Sequence, residues 1–553
     1  MITSTFGSAD IVFTGGDVVT MDPEFGTVEA IAVTGETITA VGSADEIAIY
    51  IGADTQVIDL AGNTLIPGFV DAHTHVLTDM GGIEAGQPLA LEVGITSLGD
   101  AHIEQGWPEQ FIDASDRGVL KVRTSLYLGR MDPCGVDEGF WYDEYPPDAV
   151  LGDRLRIGGV KLFNDGGSCA NIAASEEILD DYFVQEPFHD VETLAALIGE
   201  ADAAGYQVIV HSQGDLAIAV VQDAYEQVLD GRENVLHHRI EHNAFLTEEV
   251  VGRYSEIGII PTMFGISSAC VADIGWTDFY KQYGDRPGLI VDANPDLIVA
   301  WHGDDPSLLP VSPIIELFNL VTRSNIAEDG SLCEAPDWMA DGGVTVEQGL
   351  AMMTINAAYA LRQEDVVGSL TPGKLADLVV LTGNPLTVPS SEIPGIGVLA
   401  TIIGGVTEYC ASGMDEFCSG VVPPEVPEAS ASMSRDGQGP ELAFDGSIDP
   451  ESFWSSGADA PQWIQYAFPE PVSLAELAFT VYQNPPGSTV HSLEVMVGGE
   501  WTLVETFDGP TETGQILRWT PDAAIDGVEA FRMTTVESLS WPEWFEIGIG
   551  ISK

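Results

Sequence analysis

The chain has 553 residues, a length that suggests about three domains. Lys+Arg total 19 against Asp+Glu 87, a formal net charge of −68, which excludes a nucleic-acid binder working through a basic face and disfavours docking on an anionic membrane surface. Apolar residues and eleven Trp spread along the chain exclude wholesale disorder, and no apolar run reaches the ~18 residues of a membrane-spanning helix.

Residues 1–10 are polar, so no leader peptide is expected within them, and they run into short strands over 9–65: DIVFTGGDVVTMD, EAIAVTGETITAVGS and TQVIDLAGNTLIPG. Alternation and Thr/Val/Ile enrichment mark them as strands. Over 66–366 short apolar runs alternate with helical spacing. The runs are GFVDAHTH, GITSLGDA, VRTSLYLG, GGVKLFNDGG, YQVIVHSQGD, HRIEHN, GIIPTMF and DLIVAWHGDD, and DVETLAALIGEADAAG typifies the stretches between them. Eight such alternations predict an α/β fold, a (β/α)8 barrel, closed by a helix over 347–362. VGSLTPGKLADLVVLTG (367–383) returns to strand character. Segments 9–65 and 367–410 are therefore expected to form one composite, split β-sandwich domain. Residues 411–430, with VVPPEVPEAS, read as a Pro/Glu-rich linker. Residues 431–553 switch to short strands with turns about every 8–12 residues, the pattern of an all-β sandwich or jelly roll.

That last segment carries 19 acids and 4 bases, nearly the charge density of the whole chain. The acidity is thus a general surface property, as in adaptation to salt or to an extracellular setting; attraction of a cationic substrate is the sharper alternative. Cys134, Cys169, Cys270 and Cys333 read as isolated core or loop thiols. Cys410 and Cys418 flank the short loop ASGMDEF, and a disulfide is expected there if the protein is exported.

Nine of the ten His fall between 73 and 302, several at the C-terminal ends of predicted strands, where sites assemble in a (β/α)8 barrel. His73 and His75 sit two apart, so both point to one face of the first strand and can share a divalent ion. Lys161 is one of only five lysines and lies inside an apolar strand between Val160 and Leu162. A buried ammonium is costly unless paired or neutralised. A neutral Lys161 can take up CO2 as a carbamate, an anionic ligand able to bridge two ions; the alternative is an ion pair with Asp165. His211 and His242 end the next two histidine-bearing strands and could hold a second ion, whereas His237 and His238 begin a strand and read as structural. Asp304 ends the last strand, where a carboxylate can ligate metal and accept a proton from water; Asp305 is the adjacent alternative. His302 reads as supporting these ligands or facing substrate.

The set HTH, GVKLF, VHSQGD, RIEH, HGDDP and GSLTPGKLADLVVL resembles the amidohydrolase superfamily, and within it the branch that includes N-substituted formamide deformylases. The resemblance spans about residues 9–408. It implies a (β/α)8 metallohydrolase with a flanking β-sandwich and one or two divalent ions, most often zinc. His73 and His75 would bind one ion, carboxylated Lys161 would bridge, His211 and His242 would bind the other, and Asp304 would be the general base. The implied reaction is cleavage of a C–N bond in an amide, carbamate or cyclic amide of a small-molecule substrate. A lactonase, esterase or phosphotriesterase on the same ions is the first alternative, and an inactive barrel serving as a binding protein the second. The last 123 or so residues, through ELAFDGSIDPESFW and WFEIGIG, resemble a discoidin-like domain. That implies a structural calcium at Asp445, Asp449 and Glu546, attachment to a glycan or surface polymer, and an extracellular or periplasmic setting. Homo-oligomer formation stays open.

Overall fold

The computed structural model describes residues 8–553 apart from 167–171, 176–182, 185, 272–277, 285, 305–311, 328, 413, 415–416, 418–427, 436–439, 444–452, 459, 484, 522, 539 and 552–553. The chain divides into two units, residues 1–420 and 421–553.

Eight parallel strands form a nearly closed barrel in the first unit: β1 (Phe69–Thr74), β2 (Ile95–Ile103), β3 (Arg123–Gly129), β4 (Leu155–Phe163), β5 (Gln207–Ser212), β6 (Arg239–His242), β7 (Ile260–Phe264) and β8 (Ala300–His302). Each pairs with the next in sequence order. Every residue of β1, β3 and β5 is buried, as expected of strands covered on both faces by side chains and helices. The connections supply those helices. Val191–Ala204 starts where the Asp190 side chain accepts from Thr193 N and ends at Gly205, in the left-handed conformation that a helix C-terminus favours. Between β8 and β1 the ring is tied by backbone and side chain: Asp304 N donates to His73 O at 3.0 Å, and Asp71 Oδ1 accepts from both His73 N and Gly303 N.

Beside the barrel lie two further sheets. One orders Thr37–Gly42, Ala30–Thr34, Ile11–Thr14 and Gln56–Asp59; the other orders Val406–Cys410, Val398–Ile403, Leu378–Leu381, Thr64–Pro67, Asp17–Val19 and Thr27–Val28. Leu378–Leu381 pairs antiparallel with Thr64–Pro67, so the second sheet is built from both ends of the unit. Phe13, Ile31, Leu65, Leu378 and Ile402 share one buried apolar cluster. Arg123, at the start of β3, forms a buried two-point ion pair with Asp377, the bidentate geometry in which a guanidinium matches a carboxylate best.

Three local features differ from the sequence reading. The helix expected over 347–362 is broken into Val346–Met352 and Ile355–Ala360, because Met353 O accepts from Val70 N of β1 and Thr354 leaves helical geometry. In the second unit one long strand, Gln462–Val481, runs where short strands were expected; it is the hub of an eight-stranded, all-antiparallel sheet with Trp454, Phe479, Phe531 and Trp544 in its core. Cys270 and Cys333, expected as separate thiols, form a disulfide across 63 residues. Cys134 and Cys410 are disulfide-bonded as well. Cys169 and Cys418 lie outside the described residues, as do Asp305, Asp445 and Asp449 and the side chain of Glu546. No described helix is long and apolar enough to cross a membrane.

The Cys270–Cys333 link joins the segment after β7 to a short hairpin that follows the helix Pro313–Thr322. Replacing both residues by Ser is expected to destabilise the first unit by about 2–4 kcal/mol, read as a lower midpoint in urea; an unchanged midpoint would show that the link adds nothing.

Candidate active site

The strand ends at the C-terminal mouth of the barrel bring together side chains from positions up to 231 apart in number, His73 to Asp304. One oxygen, Asp304 Oδ1, lies 3.3 Å from His73 Nε2 and 3.4 Å from His75 Nε2, and the other carboxylate oxygen lies 4.0 Å from His242 Nδ1. Asp304 and the two histidines of β1 offer ligand atoms that all fall within 4.8 Å of one another. Lys161 Nζ stands 3.2 Å from His73 Nε2. The rings of His211 and His242 are 4.2 Å apart, centre to centre, and those of His73 and His242 are 4.8 Å apart. His73, Lys161, His211 and His242 are buried, while His75 and Asp304 keep 18 % and 14 % of their side-chain surface exposed. The cluster is therefore open to the mouth through those two residues.

Local backbone explains the convergence. His242 and Asn243 both adopt positive φ, +78° and +55°, a conformation rare outside glycine. It ends β6 abruptly and is held by Asn243 Nδ2, which donates to Ile240 O and Thr262 O. Asp304 also has positive φ, +55°, which turns the chain out of β8. Gly166 makes room for His211: a Cβ there would sit 2.6 Å from His211 Nε2.

The electrostatics leave the enclosed imidazoles of His73, His211 and His242 in the neutral state a metal ligand needs and act the other way on His75. Burial drives His211 and His242 well below the usual imidazole range. It also lowers His73, assisted by the Lys161 charge, and takes His302 down to about 3. His75 is raised instead, since Asp304 and Asp100 outweigh its burial. Burial lowers Lys161 to about 8 against the pull of Glu241 and Asp304. For Asp304 burial acts upward, but His242, His73 and His75 together hold the carboxyl well below its normal range. His211 Nε2 and both ring nitrogens of His242 and His302 are buried without a hydrogen-bond partner among the described residues. Neutral imidazoles with unused lone pairs around a carboxylate are the donor set of a zinc-type site, and unsatisfied buried nitrogens call for such a partner.

Asp165 does not pair with Lys161. It accepts from the backbone N–H groups of Ala173, Gln213 and Gly214 and lies 4.0 Å from His211 Nε2. Burial outweighs those three hydrogen bonds and pushes its carboxyl up to about 7. His302 stacks 5.2 Å from His73 and lies tilted 4.5 Å from Phe264, on the wall of the cluster. His237 and His238 are engaged elsewhere, with Tyr359 O and with Val208 N and Asp202.

Sequence reasoning missed Glu241. Its carboxylate takes a 2.6 Å hydrogen bond from His73 Nδ1, which fixes the tautomer so that Nε2 presents its lone pair to the cluster. Arg239, two residues earlier on the same strand face, holds the other oxygen at 2.9 Å. Arg239 is itself anchored on Ala72 O and Ala360 O and on the face of Tyr127. Burial disfavours the Glu241 anion, yet Arg239 and His73 hold it ionised. The available signal was an acid within the apolar strand RIEH.

A family model described as the amidohydrolase family matches residues 81–409. The match takes in Lys161, His211, His242 and Asp304 and starts after His73 and His75. Over 357 residues the chain is 27 % identical to N-substituted formamide deformylase of Arthrobacter pascens, covering 58 % of this chain and 59 % of that protein. It is 28 % identical over 271 residues to Protein LONG AFTER FAR-RED 3 of Arabidopsis thaliana, covering 47 % and 44 % respectively. The chain thus spans about half the length of these curated relatives. Among solved structures, an uncharacterized metal-dependent hydrolase from Pyrococcus horikoshii aligns over 69 % of this chain and 99 % of that one, with a TM-score of 0.58 at 15 % identity, a likeness of fold.

Proposed function

Because the chain belongs to the amidohydrolase family, whose model covers more than half of it, we propose that it is a metal-dependent hydrolase cleaving a C–N bond of an amide, carbamate or cyclic amide. The observation that carries this reading is the gathering of ligand atoms of His73, His75 and Asp304 within 4.8 Å of one another, beside imidazole nitrogens that have no partner among the described residues. His73 and His75 would hold one divalent ion, zinc by the chemistry of the donor set, and His211 and His242 a second. Lys161 would bridge after its neutral amine adds to CO2, forming an N–C bond and releasing one proton. When bound, the ions supply a Lewis acid that acidifies water and polarises a carbonyl. Asp304 accepts the proton that water loses as its oxygen bonds to the substrate carbon. It returns that proton to the nitrogen as the C–N bond breaks, so the products are an acid and an amine. The similarity to a formamide deformylase supports an acyclic amide as the first substrate to try.

The test is metal analysis of the purified protein together with turnover of amides, lactones and phosphotriesters in parallel. Removal of metal by a chelator is expected to lower amide turnover at least 100-fold, and zinc to restore it. Turnover of lactones or phosphotriesters alone would favour the other hydrolase readings, and a fully metallated protein inert on all three classes would end the proposal.

Glu241→Gln provides a separate check on His73. The neutral amide can still accept from Nδ1 but no longer holds a negative charge against it. Outer partners of this kind are worth about 10–100-fold in metal affinity, so zinc affinity measured by competition with a chromophoric chelator is expected to fall by that factor. An unchanged affinity would show that His73 needs no such support.

The disulfides support an exported protein, because such bonds persist in oxidising compartments. Thiol titration of unreduced protein from its native source is expected to find no free cysteine.

A further inference from the structure

His102 lies near the end of β2 and is absorbed by none of the roles above. Its Nε2 is 3.0 Å from Met131 O. A carbonyl only accepts, so Nε2 carries the proton and Nδ1 the lone pair. The Cδ2–Nε2 edge faces β3, where Gly129 leaves room: a Cβ there would meet those two atoms at 3.0 and 3.2 Å. The opposite edge, with Nδ1, is turned away from the wall. Nδ1 has no hydrogen-bond partner among the described residues, and His102 is half-buried, so part of the residue meets solvent. The ring packs edge-on against Phe163, whose face also touches Lys161 Nζ and the His211 ring. His102 is thus one aromatic ring away from the candidate ligands. Burial, with the charges of Lys161 and His75, lowers its imidazole to about 4, so it is a neutral acceptor at working pH.

The second observation is the placement of the cations. Each of the eleven arginines up to residue 420 is engaged by a carboxylate or, at Arg323, by backbone carbonyls. Lys374 is held by Val367 O and Ser369 Oγ, and Lys121 precedes β3 at the opposite end of the barrel. Among the described residues Lys161 is the one Lys or Arg in contact with the histidine cluster, and it faces His73. His102 thus offers an unused acceptor near the histidine cluster, in a chain whose arginines up to residue 420 already answer carboxylates or carbonyls and whose net charge is −68.

Resting on the hydrolase reading above, we propose that His102 Nδ1 accepts a hydrogen bond from a donor on the substrate, and that the substrates are neutral or cationic amides with no carboxylate near the scissile bond. His102 is then a specificity-determining residue. An ammonium or N–H group on the amine portion is the donor that fits both the lone pair and the field of the protein.

The experiment uses the full-length, metal-loaded protein and three N-acyl compounds of equal length, ending in a primary ammonium, a trimethylammonium or a carboxylate. The wild-type protein is expected to prefer the ammonium compound over the carboxylate by at least tenfold in kcat/KM. His102→Gly tolerates the positive φ of 76° and removes the acceptor. It is expected to lower the ammonium-to-trimethylammonium ratio of kcat/KM roughly tenfold, the value of one such hydrogen bond, mainly through KM. His102→Asn, whose side-chain oxygen can reach the position of Nδ1 and which also accepts positive φ, is expected to restore part of the ratio. If no amide is turned over, the hydrolase reading and this proposal fall together. If amides are turned over but the ratio is unchanged in His102→Gly, or the carboxylate compound is preferred, this proposal alone is overturned.

Discussion

Asp304→Asn is expected to lower amide turnover by about 10²–10⁴-fold, the range associated with loss of a positioned acid–base group, while the protein keeps its fold and most of its metal. The substitution is unusually clean at this position. Asn has nearly the same shape, and the backbone at residue 304 has φ +55°, which Asn adopts more readily than most residues. What changes is the ability to take up a proton. The native carboxylate touches His73 and His75 at 3.3 and 3.4 Å and approaches His242 at 4.0 Å, and those imidazoles keep it ionised against its own burial. An amide in its place keeps an oxygen ligand but can neither accept the proton of water nor hand it to the leaving nitrogen. Metal content by elemental analysis and single-turnover rates separate the two effects. A near-normal rate with full metal would remove Asp304 from proton transfer and leave it as a ligand only.

The barrel was legible because its strands are apolar on both faces, and such runs stand out between amphipathic stretches. The candidate site was legible for a related reason. A histidine, lysine or aspartate ending an apolar run lies at one end of a parallel barrel, so His73, His75, Lys161, His211, His242 and Asp304 could be grouped without any knowledge of pairing. The misses have specific causes. Strict alternation places residues 241 and 242 on opposite faces, but the positive φ of His242 breaks the alternation, and both side chains reach the cluster. His102, also at positive φ, escaped attention because it lies near the end of β2, a strand whose other residues are ordinary. Pro469 and Pro471 interrupt Gln462–Val481 and suggest a strand break; the chain absorbs them in a register shift between Ala467 and Val472 and continues. The Cys270–Cys333 pair spans 63 residues, and no spacing rule connects cysteines that far apart.

Lys161→Ala is expected to cost at least 10-fold in metal affinity and most of the turnover, and short carboxylic acids such as acetate or propionate are expected to restore part of both. Every residue of β4 from Ile157 to Phe163 is buried, and within that stretch Lys161 Nζ lies 3.2 Å from His73 Nε2 and 4.9 Å from the centre of the Phe163 ring. A permanently charged ammonium beside neutral imidazoles would repel a divalent ion, so the ammonium and the metal are competing occupants of one space. Burial resolves the conflict by lowering the amine to about 8, which exposes a neutral nucleophile to CO2 and exchanges a positive group for a negative one. Since only the neutral amine reacts, loading of the metal-free protein with zinc and bicarbonate is expected to be fast above pH 8 and to slow as pH falls below it. Alanine leaves a cavity about the size of the lost side chain, into which a small carboxylate can carry the missing charge. Rescue that depends on acid size, acetate working and benzoate failing, is the result that a bridging carbamate requires. Full metal occupancy in Lys161→Ala, with no response to any acid, would instead make Lys161 a buried structural cation and reassign the bridge to Asp304.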